Sequence, residues 1–529
     1  MDRKPVRLAP SGARHRSIRA GVIAVLVGVS LVLSGCSSIF LPPKVTSSPT
    51  NETVPADLAP FYHQVLTWKS CGDGMQCTNA KAPLDWGNPG GATISLALIR
   101  HLATNGHPLG SLLVNPGGPG GSGYDFIKNS LDFAVDATLK ANYDIVGFDP
   151  RGVNHSTPIK CYTNPSVLDN YIYGLPKAAF GTDAWITEVE QENKTFGQEC
   201  AKYTGALLGH VDTVSAAKDL DLLRAALGDK KLEYLGYSYG TLLGQTYANL
   251  FPKKTGRLVL DGVVDPTVTP FELDGDQAKG FELDLRAFLA ACPKMKNCPF
   301  TGTVDQGMAS IRRFLDKLDV SPIKNSDGRE LGSETMFTAI IFPLYNTTEW
   351  PYLVDLFNDV SNGSAKVAFE LADAYNDRNS DGTYADNTTE AFIAINCLDY
   401  PSDPNVATMR AQEVQLDKEA PVFGHLMAYG GTGCYDWPYK PTRLAGALAA
   451  KGSAPIIVIG TTGDPATPYQ WAQHVSKLLQ HGHLITYHGD GHTAYNKNKT
   501  PADQCVNTAV DNFFVHGTVP TTDPQCGAN

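Results

Sequence analysis

A chain of 529 residues with 42% apolar and 9% aromatic residues has the composition of a globular protein and enough length for a large core plus an insertion. Its formal charge is −11, and without residues 1–35, which carry six Arg/Lys and the single acid Asp2, the remainder stands at about −16. So acidic a chain repels phosphate, which argues against nucleic acid as a partner.

The N-terminus has the pattern of an export signal. A basic segment runs to Arg19 and an apolar stretch, Ala20–Leu33, follows it. That stretch is too short for a comfortable membrane span and ends in small residues. Its end, Leu33-Ser34-Gly35-Cys36, resembles a bacterial lipobox. Such signals imply that residues 1–35 are removed and that Cys36 is diacylated, anchoring the chain to the extracytoplasmic face of the cell membrane. Residues 36–57, rich in Pro, Ser and Thr, read as a flexible tether.

Eleven cysteines become ten when Cys36 is set aside, an even number in a chain expected outside the reducing cytoplasm. Sequence does not determine connectivity. The economical assignment pairs neighbours: Cys71–Cys77, Cys161–Cys200, Cys292–Cys298, Cys397–Cys434 and Cys505–Cys526. No C-x-x-C pair or His-flanked cluster favours a metal, and no cofactor is expected.

Taken in chain order, Leu58–Trp86 holds the first cysteine pair, and Ala92–His101 alternates like a strand. The segment Gly110–Gly123 is a buried strand running into a glycine-rich loop, with a helix starting near Ser122. That loop lets backbone N–H groups approach a ligand. It lacks the phosphate-loop pattern and the dinucleotide spacing, so the favoured reading is an oxyanion hole. Tyr143–Gly152 is an apolar strand ending in a turn, where Asp149 and Arg151 read as structural. Ser215–Leu227 has helical periodicity.

Lys231–Tyr237 reads as the next strand, and Thr241–Phe251 as a helix stopping before Pro252. Between them lies Gly236-Tyr237-Ser238-Tyr239-Gly240. A G-x-S-x-G placed between strand and helix is a nucleophile elbow, presenting Ser238 on a strained turn. The next strand is Gly256–Asp261. From Pro266 to Ala447 the patterning turns mostly helical, over 281–291, 306–318, 335–345, 352–359, 365–375 and 408–416. This region, 266–447, reads as a lid inserted between two parts of one core, 58–265 and 448–529. Alternation resumes with strand Ala454–Gly460, a helix within Pro468–Leu479, strand His483–His488 and a helix over 501–514. Strands alternating with helices imply an α/β fold with a mostly parallel sheet covered on both faces.

A serine hydroxyl needs a base, and the base needs an acid to fix its tautomer. In this fold the order is Ser, then acid, then His, each after a strand. Asp464 follows strand 454–460, and His492 follows strand 483–488 in a Gly-flanked loop. The competitors are Asp490, too close to His492 in the chain to brace it, and His488 at the strand end.

These residues carry a resemblance. Val114–Gly123, Phe148–Gly152, Gly236–Thr241, Asp261–Pro266, Ala394–Cys397, Gly463-Asp464, Gly491-His492 and the end region with Cys505 and Cys526 resemble the secreted tripeptidyl-aminopeptidase and proline-iminopeptidase-like branch of the α/β-hydrolases. The resemblance implies Ser238 as nucleophile, His492 as base and Asp464 as orienting acid, with oxyanion N–H groups from Gly118 and Tyr239. It implies an aminopeptidase releasing short N-terminal peptides. An esterase or lipase could use the same triad, and an inactive binding protein on this scaffold is a third reading. An aminopeptidase needs a carboxylate where the substrate amine docks. Glu272, Asp274 and Asp399 are the candidates.

Overall fold

The computed structural model describes residues 45–442, 446–497 and 501–527. Cys36, the signal segment and the start of the tether lie outside the described residues. The strands are β1 (Val45–Thr46), β2 (Thr67–Ser70), β3 (Met75–Pro83), β4 (Thr93–His101), β5 (Ser111–Asn115), β6 (Asp144–Phe148), β7 (Leu232–Tyr237), β8 (Thr255–Asp261), β9 (Ile323–Lys324), β10 (Glu330–Leu331), β11 (Ile456–Gly463), β12 (Gly482–Asp490) and β13 (Gln525–Gly527). Eleven of them form one sheet in the order β1-β2-β3-β4-β6-β5-β7-β8-β11-β12-β13; β9 and β10 form a separate ribbon. From β6 to β13 every neighbouring pair is parallel, while β1 to β4 and the β4–β6 junction are antiparallel.

Successive side chains on a strand point to opposite faces, so a strand buried on both sides feeds two cores. Leu113, Tyr234, Leu258, Leu260 and Val458 enter one core with the helices Thr213–Leu227, Tyr239–Leu250 and Tyr469–Leu478. Leu112, Val114, Leu235, Val259 and Ile457 enter the other, under Gly123–Ala134 and the C-terminal helix Pro501–Asp511. This explains why β5, β7, β8 and β11 read as apolar runs rather than alternating patterns.

The helical region has its own core. Helices Pro270–Ala291, Val304–Val320, Ser333–Leu344, Trp350–Ser361 and Lys366–Tyr375 share one cluster built around Phe288, Ile340 and Phe369. Two features depart from the sequence reading. Helices Pro165–Tyr173 and Asp183–Thr204 precede the elbow, outside 266–447. Their apolar signal is thin: the 22-residue helix Asp183–Thr204 buries only Trp185, Ile186, Phe196, Gly197 and Cys200. Helix Thr388–Asp399, within the polar stretch of the expected lid, packs Ala391, Ala394, Ile395 and Leu398 onto the main core.

The tether expectation fails for residues 45–57. Val45 and Thr46 pair with Trp68 and Thr67 at the sheet edge, and the Thr50 N–H donates to the Ala225 carbonyl at 2.9 Å. Charge adds to these backbone bonds. Glu52 accepts from Arg224 at 2.9 Å and from Lys254 at 2.6 Å, and both cations also bond Asp221. Burial works against ionising Glu52, but those two cations outweigh it and hold its carboxyl below the ordinary range.

Among the described residues five disulfides join chain neighbours: Cys71–Cys77, Cys161–Cys200, Cys292–Cys298, Cys397–Cys434 and Cys505–Cys526. Asp149 and Arg151 fix the loop after β6. Asp149 accepts from the Ser122 hydroxyl at 2.7 Å and from the Tyr124 and His155 N–H groups. Arg151 is fully buried and bidentate on Asp219, 2.7 Å on each arm, and donates to the carbonyls of Pro83, Leu84 and His210. Arg151→Met should lower stability by about 3–5 kcal/mol, because Asp219 and three carbonyls would lose their buried partner. Guanidinium unfolding followed by circular dichroism measures this. A loss under about 1 kcal/mol would mean that water replaces the guanidinium at little cost.

Candidate active site

Ser238 sits between β7 and the helix Tyr239–Leu250 with φ of 53°, a left-handed conformation that a residue bearing a side chain adopts at a cost. The turn closes only because its neighbours are small. A Cβ at Gly240 would lie 2.7 Å from Asn115 Oδ1, and one at Gly236 would lie 2.5 Å from the Gly240 carbonyl oxygen. The glycine-rich loop comes closest. A Cβ at Gly117 would stand 2.6 Å from the Tyr237 carbonyl and 2.8 Å from Ser238 Cβ. Gly117 lies in the loop singled out from sequence, but its contact with the elbow could not be read there.

Asp464 follows β11 and is buried. Both its oxygens lie 2.9 Å from His492 Nδ1. It also accepts from the N–H groups of Ala466, Thr467 and Thr493 at 3.0, 2.8 and 3.1 Å. Burial opposes its charge, yet the His492 imidazole and these N–H groups more than offset that and hold the carboxyl below the ordinary carboxylate range. An ionised carboxylate only accepts, so Nδ1 carries the proton and donates. Neutral His492 then presents Nε2 as a free acceptor. That nitrogen is buried, and no hydrogen bond satisfies it. Among the described residues Nε2 makes no hydrogen bond to Ser238.

Thr467 Oγ1 stands 3.2 Å from the same Nδ1 and faces the cavity that Ser238 lines. The competitors lie elsewhere. His488 bonds Gln525 of β13 at 2.8 Å, and Asp490 packs against Gly463.

Asp261 joins the two halves of the site. Its backbone carbonyl accepts from the Ser238 N–H at 2.9 Å. Its buried carboxylate accepts from the N–H groups of Ala494, at 3.0 Å, and Tyr495, at 2.8 Å, directly after His492. Burial pushes that carboxyl up to about 6. The helical region grips the same loop. The His492 N–H donates to the Tyr345 carbonyl at 2.9 Å, and Lys497 donates to the carbonyls of His492 and Tyr345 at 2.7 and 3.2 Å. No local sequence signal marks Tyr345, which lies far from His492 in the chain.

A cavity of about 330 Å³ is lined by Gly118, Ser238, Tyr239, Thr467 and Trp471, and also by Asp274 and apolar side chains such as Leu242 and Phe392. Of the three candidate amine anchors, Glu272 caps its own helix through Thr269 and is exposed. Asp399 is buried and bonds Thr213. Asp274 lines the cavity and has no hydrogen bond or ion pair among the described residues.

A parallel sheet carrying a serine at a tight strand-to-helix turn, with a His–Asp pair after later strands, defines a serine hydrolase of α/β fold. The description "alpha/beta hydrolase fold" matches residues 110–323, and "TAP-like protein" matches residues 420–526. Serine protease Hip1 of Mycobacterium tuberculosis is 34% identical over 519 residues, 95% of this chain and 96% of that one. Carboxylesterase B of the same organism is 34% identical over 525 residues, 96% and 98% of the two chains. Tripeptidyl aminopeptidase of Streptomyces lividans is 29% identical over 477 residues, 87% and 86%. This chain belongs to the TAP-like family of α/β hydrolases.

Gly117→Ala should cut hydrolysis by about 100-fold or more, since its Cβ must displace Tyr237 or Ser238 and a shift near 1 Å costs that much. Steady-state turnover and fluorophosphonate labelling of the serine report it. Activity within about threefold of wild type would mean that the loop can give way without disturbing the elbow.

Proposed function

We propose that the protein is an exported serine aminopeptidase that releases short peptides from free N-termini, anchored to the membrane by lipid on Cys36. The basic N-terminal segment and the Leu33–Cys36 sequence support the export and anchoring part. Among the described residues no helix is long and apolar enough to cross a membrane. Residues 266–447, with the two earlier helices, would form the lid that limits what enters.

In the proposed reaction Ser238 Oγ attacks the scissile carbonyl carbon while His492 Nε2 takes its proton. Asp464 keeps the tautomer and stabilises the imidazolium. The developing oxyanion accepts from the N–H groups of Tyr239 and Gly118. Tyr239 begins its helix, so its N–H has no intrahelical acceptor and is available for this. His492 returns the proton to the departing amine, leaving an acyl-enzyme on Ser238. Water, deprotonated by the same Nε2, then releases the short peptide acid and restores the serine.

Asp274 is the observation that carries the aminopeptidase reading. An unpaired carboxylate on the wall of an apolar cavity beside the nucleophile suits an ammonium group. The names serine protease and tripeptidyl aminopeptidase among the relatives support the same substrate class. A relative named carboxylesterase makes ester hydrolysis the second reading, through the same tetrahedral chemistry.

The test compares a tripeptide anilide with a free N-terminus, its acetylated counterpart and a short acyl ester. Wild type should cleave the free peptide best, and Ser238→Ala should abolish turnover. Asp274→Asn should lower kcat/KM for the free peptide by about 10- to 100-fold and leave the ester unchanged. Ester cleavage without peptide cleavage would install the second reading.

A pH dependence follows from the same carboxyl. Burial pushes Asp274 up to about 7. Below that pH it is protonated and neutral, so the preference for a free amine is lost as pH falls. The ratio of kcat/KM for free peptide to that for ester should therefore drop below pH 7 in wild type and stay flat in Asp274→Asn.

A further inference from the structure

Helix Thr388–Asp399 belongs to the helical region, yet it reaches both segments assigned above to the oxyanion hole, the glycine-rich loop directly and Tyr239 through Thr213. Near its start it presses on the glycine-rich loop. A Cβ at Gly120 would lie 2.7 Å from the Thr388 carbonyl oxygen and 2.9 Å from the Phe392 nitrogen, and the Thr388 hydroxyl donates to the Gly120 carbonyl at 3.4 Å. Gly118 is two residues away and faces the cavity. At the helix end, Asp399 accepts from the Thr213 N–H at 3.0 Å and from the Thr213 hydroxyl. The same hydroxyl oxygen lies 2.5 Å from the Tyr239 hydroxyl. A hydroxyl has one proton to give. With that proton on Asp399, the Thr213 oxygen accepts from Tyr239. The order of donation is Tyr239 to Thr213 to Asp399.

All three groups are buried, Asp399 and Thr213 completely. In such surroundings a hydrogen-bonded chain is stiff, and breaking one link leaves polar groups without partners. Tyr239 is therefore held at its far end by its hydroxyl and at its near end by the elbow. Its backbone N–H, one of the two proposed oxyanion donors, sits at the elbow end of that fixed residue. The middle of the same helix supplies Phe392, Ile393 and Asn396 to the cavity wall.

We infer that helix Thr388–Asp399 is the strut of the oxyanion hole and that Asp399, acting through Thr213, is a positioning residue for the Tyr239 N–H. This rests on the proposed roles of Ser238, Gly118 and Tyr239. The sequence reading considered Asp399 as an amine anchor; its bond to Thr213 gives it this different task. A group that positions an oxyanion donor should matter to the tetrahedral state and not to ground-state binding.

The experiment uses the whole enzyme with Tyr239→Phe, which removes the hydroxyl but keeps the N–H, with Asp399→Asn, and with the double variant. For each, kcat and KM are measured on a substrate that wild type hydrolyses, together with inhibition by a peptide aldehyde that forms the tetrahedral adduct and by the product acid. The expected result is a fall in kcat of about 10- to 100-fold matched by an equal loss of aldehyde affinity, with KM and product inhibition nearly unchanged. The double variant should be no worse than the stronger single one, because both cut the same chain. Equal weakening of aldehyde and product, or additive losses in the double variant, would overturn the inference. If Asp399→Asn does not fold, Tyr239→Phe alone decides, since it deletes one oxygen and leaves the helix in place. Turnover that survives Ser238→Ala would instead remove the site reading beneath the inference.

Discussion

Asp261 ends the central strand β8 with its carbonyl on the Ser238 N–H and its carboxylate on the N–H groups that follow His492. The elbow and the histidine loop are more than 250 residues apart in the chain. What brings them to one place is the pairing of β7, β8, β11 and β12 as adjacent parallel strands, each delivering its loop at the same sheet edge. Asp261 converts that coarse adjacency into a fixed distance. Its burial makes the charge costly, and the N–H groups it accepts from are the compensation.

Buried charges do comparable work elsewhere. Arg151 and Asp219 tie the loop after β6 to the helix before the elbow. Glu52 pins the N-terminal segment to Arg224 and Lys254. Lys497 bonds carbonyls from the inserted region and from the histidine loop at once. In each case a charged group of one segment satisfies polar groups of another, so a displaced segment would leave an unpaired charge behind. The helical region is thus fastened to the loop that carries His492.

The cavity is built from both the sheet side and the helical side. The sheet side supplies the nucleophile loop and Thr467, while the helical side supplies apolar walls and one unpaired carboxylate, Asp274. Peptide and ester hydrolysis share the tetrahedral chemistry of serine hydrolases, so selectivity between them lies in residues outside the reacting groups. Asp274 lines the cavity, and nothing about its local sequence distinguishes it from Glu272, which caps a helix.

The order of strands and helices was legible in the sequence because buried parallel strands appear as apolar runs and turns carry glycine and proline. The elbow, Asp464 and His492 were legible because each follows such a run. The helices Pro165–Tyr173 and Asp183–Thr204 were not, since a helix that buries one narrow side leaves a weak pattern. Nor was the order in residues 45–57, where a Pro/Ser/Thr-rich segment is held by a short strand pairing and by a glutamate whose partners are some 170 to 200 residues away. By itself the sequence determined the fold class and singled out the candidate reacting groups, because both readings depend on local pattern and residue type. The tertiary structure alone decided that Asp399 serves Thr213, that Asp274 faces the cavity, and that Asp261, Tyr345 and Lys497 mount the histidine loop. Those roles depend on which distant groups share a buried space, and burial is set by packing of the whole chain.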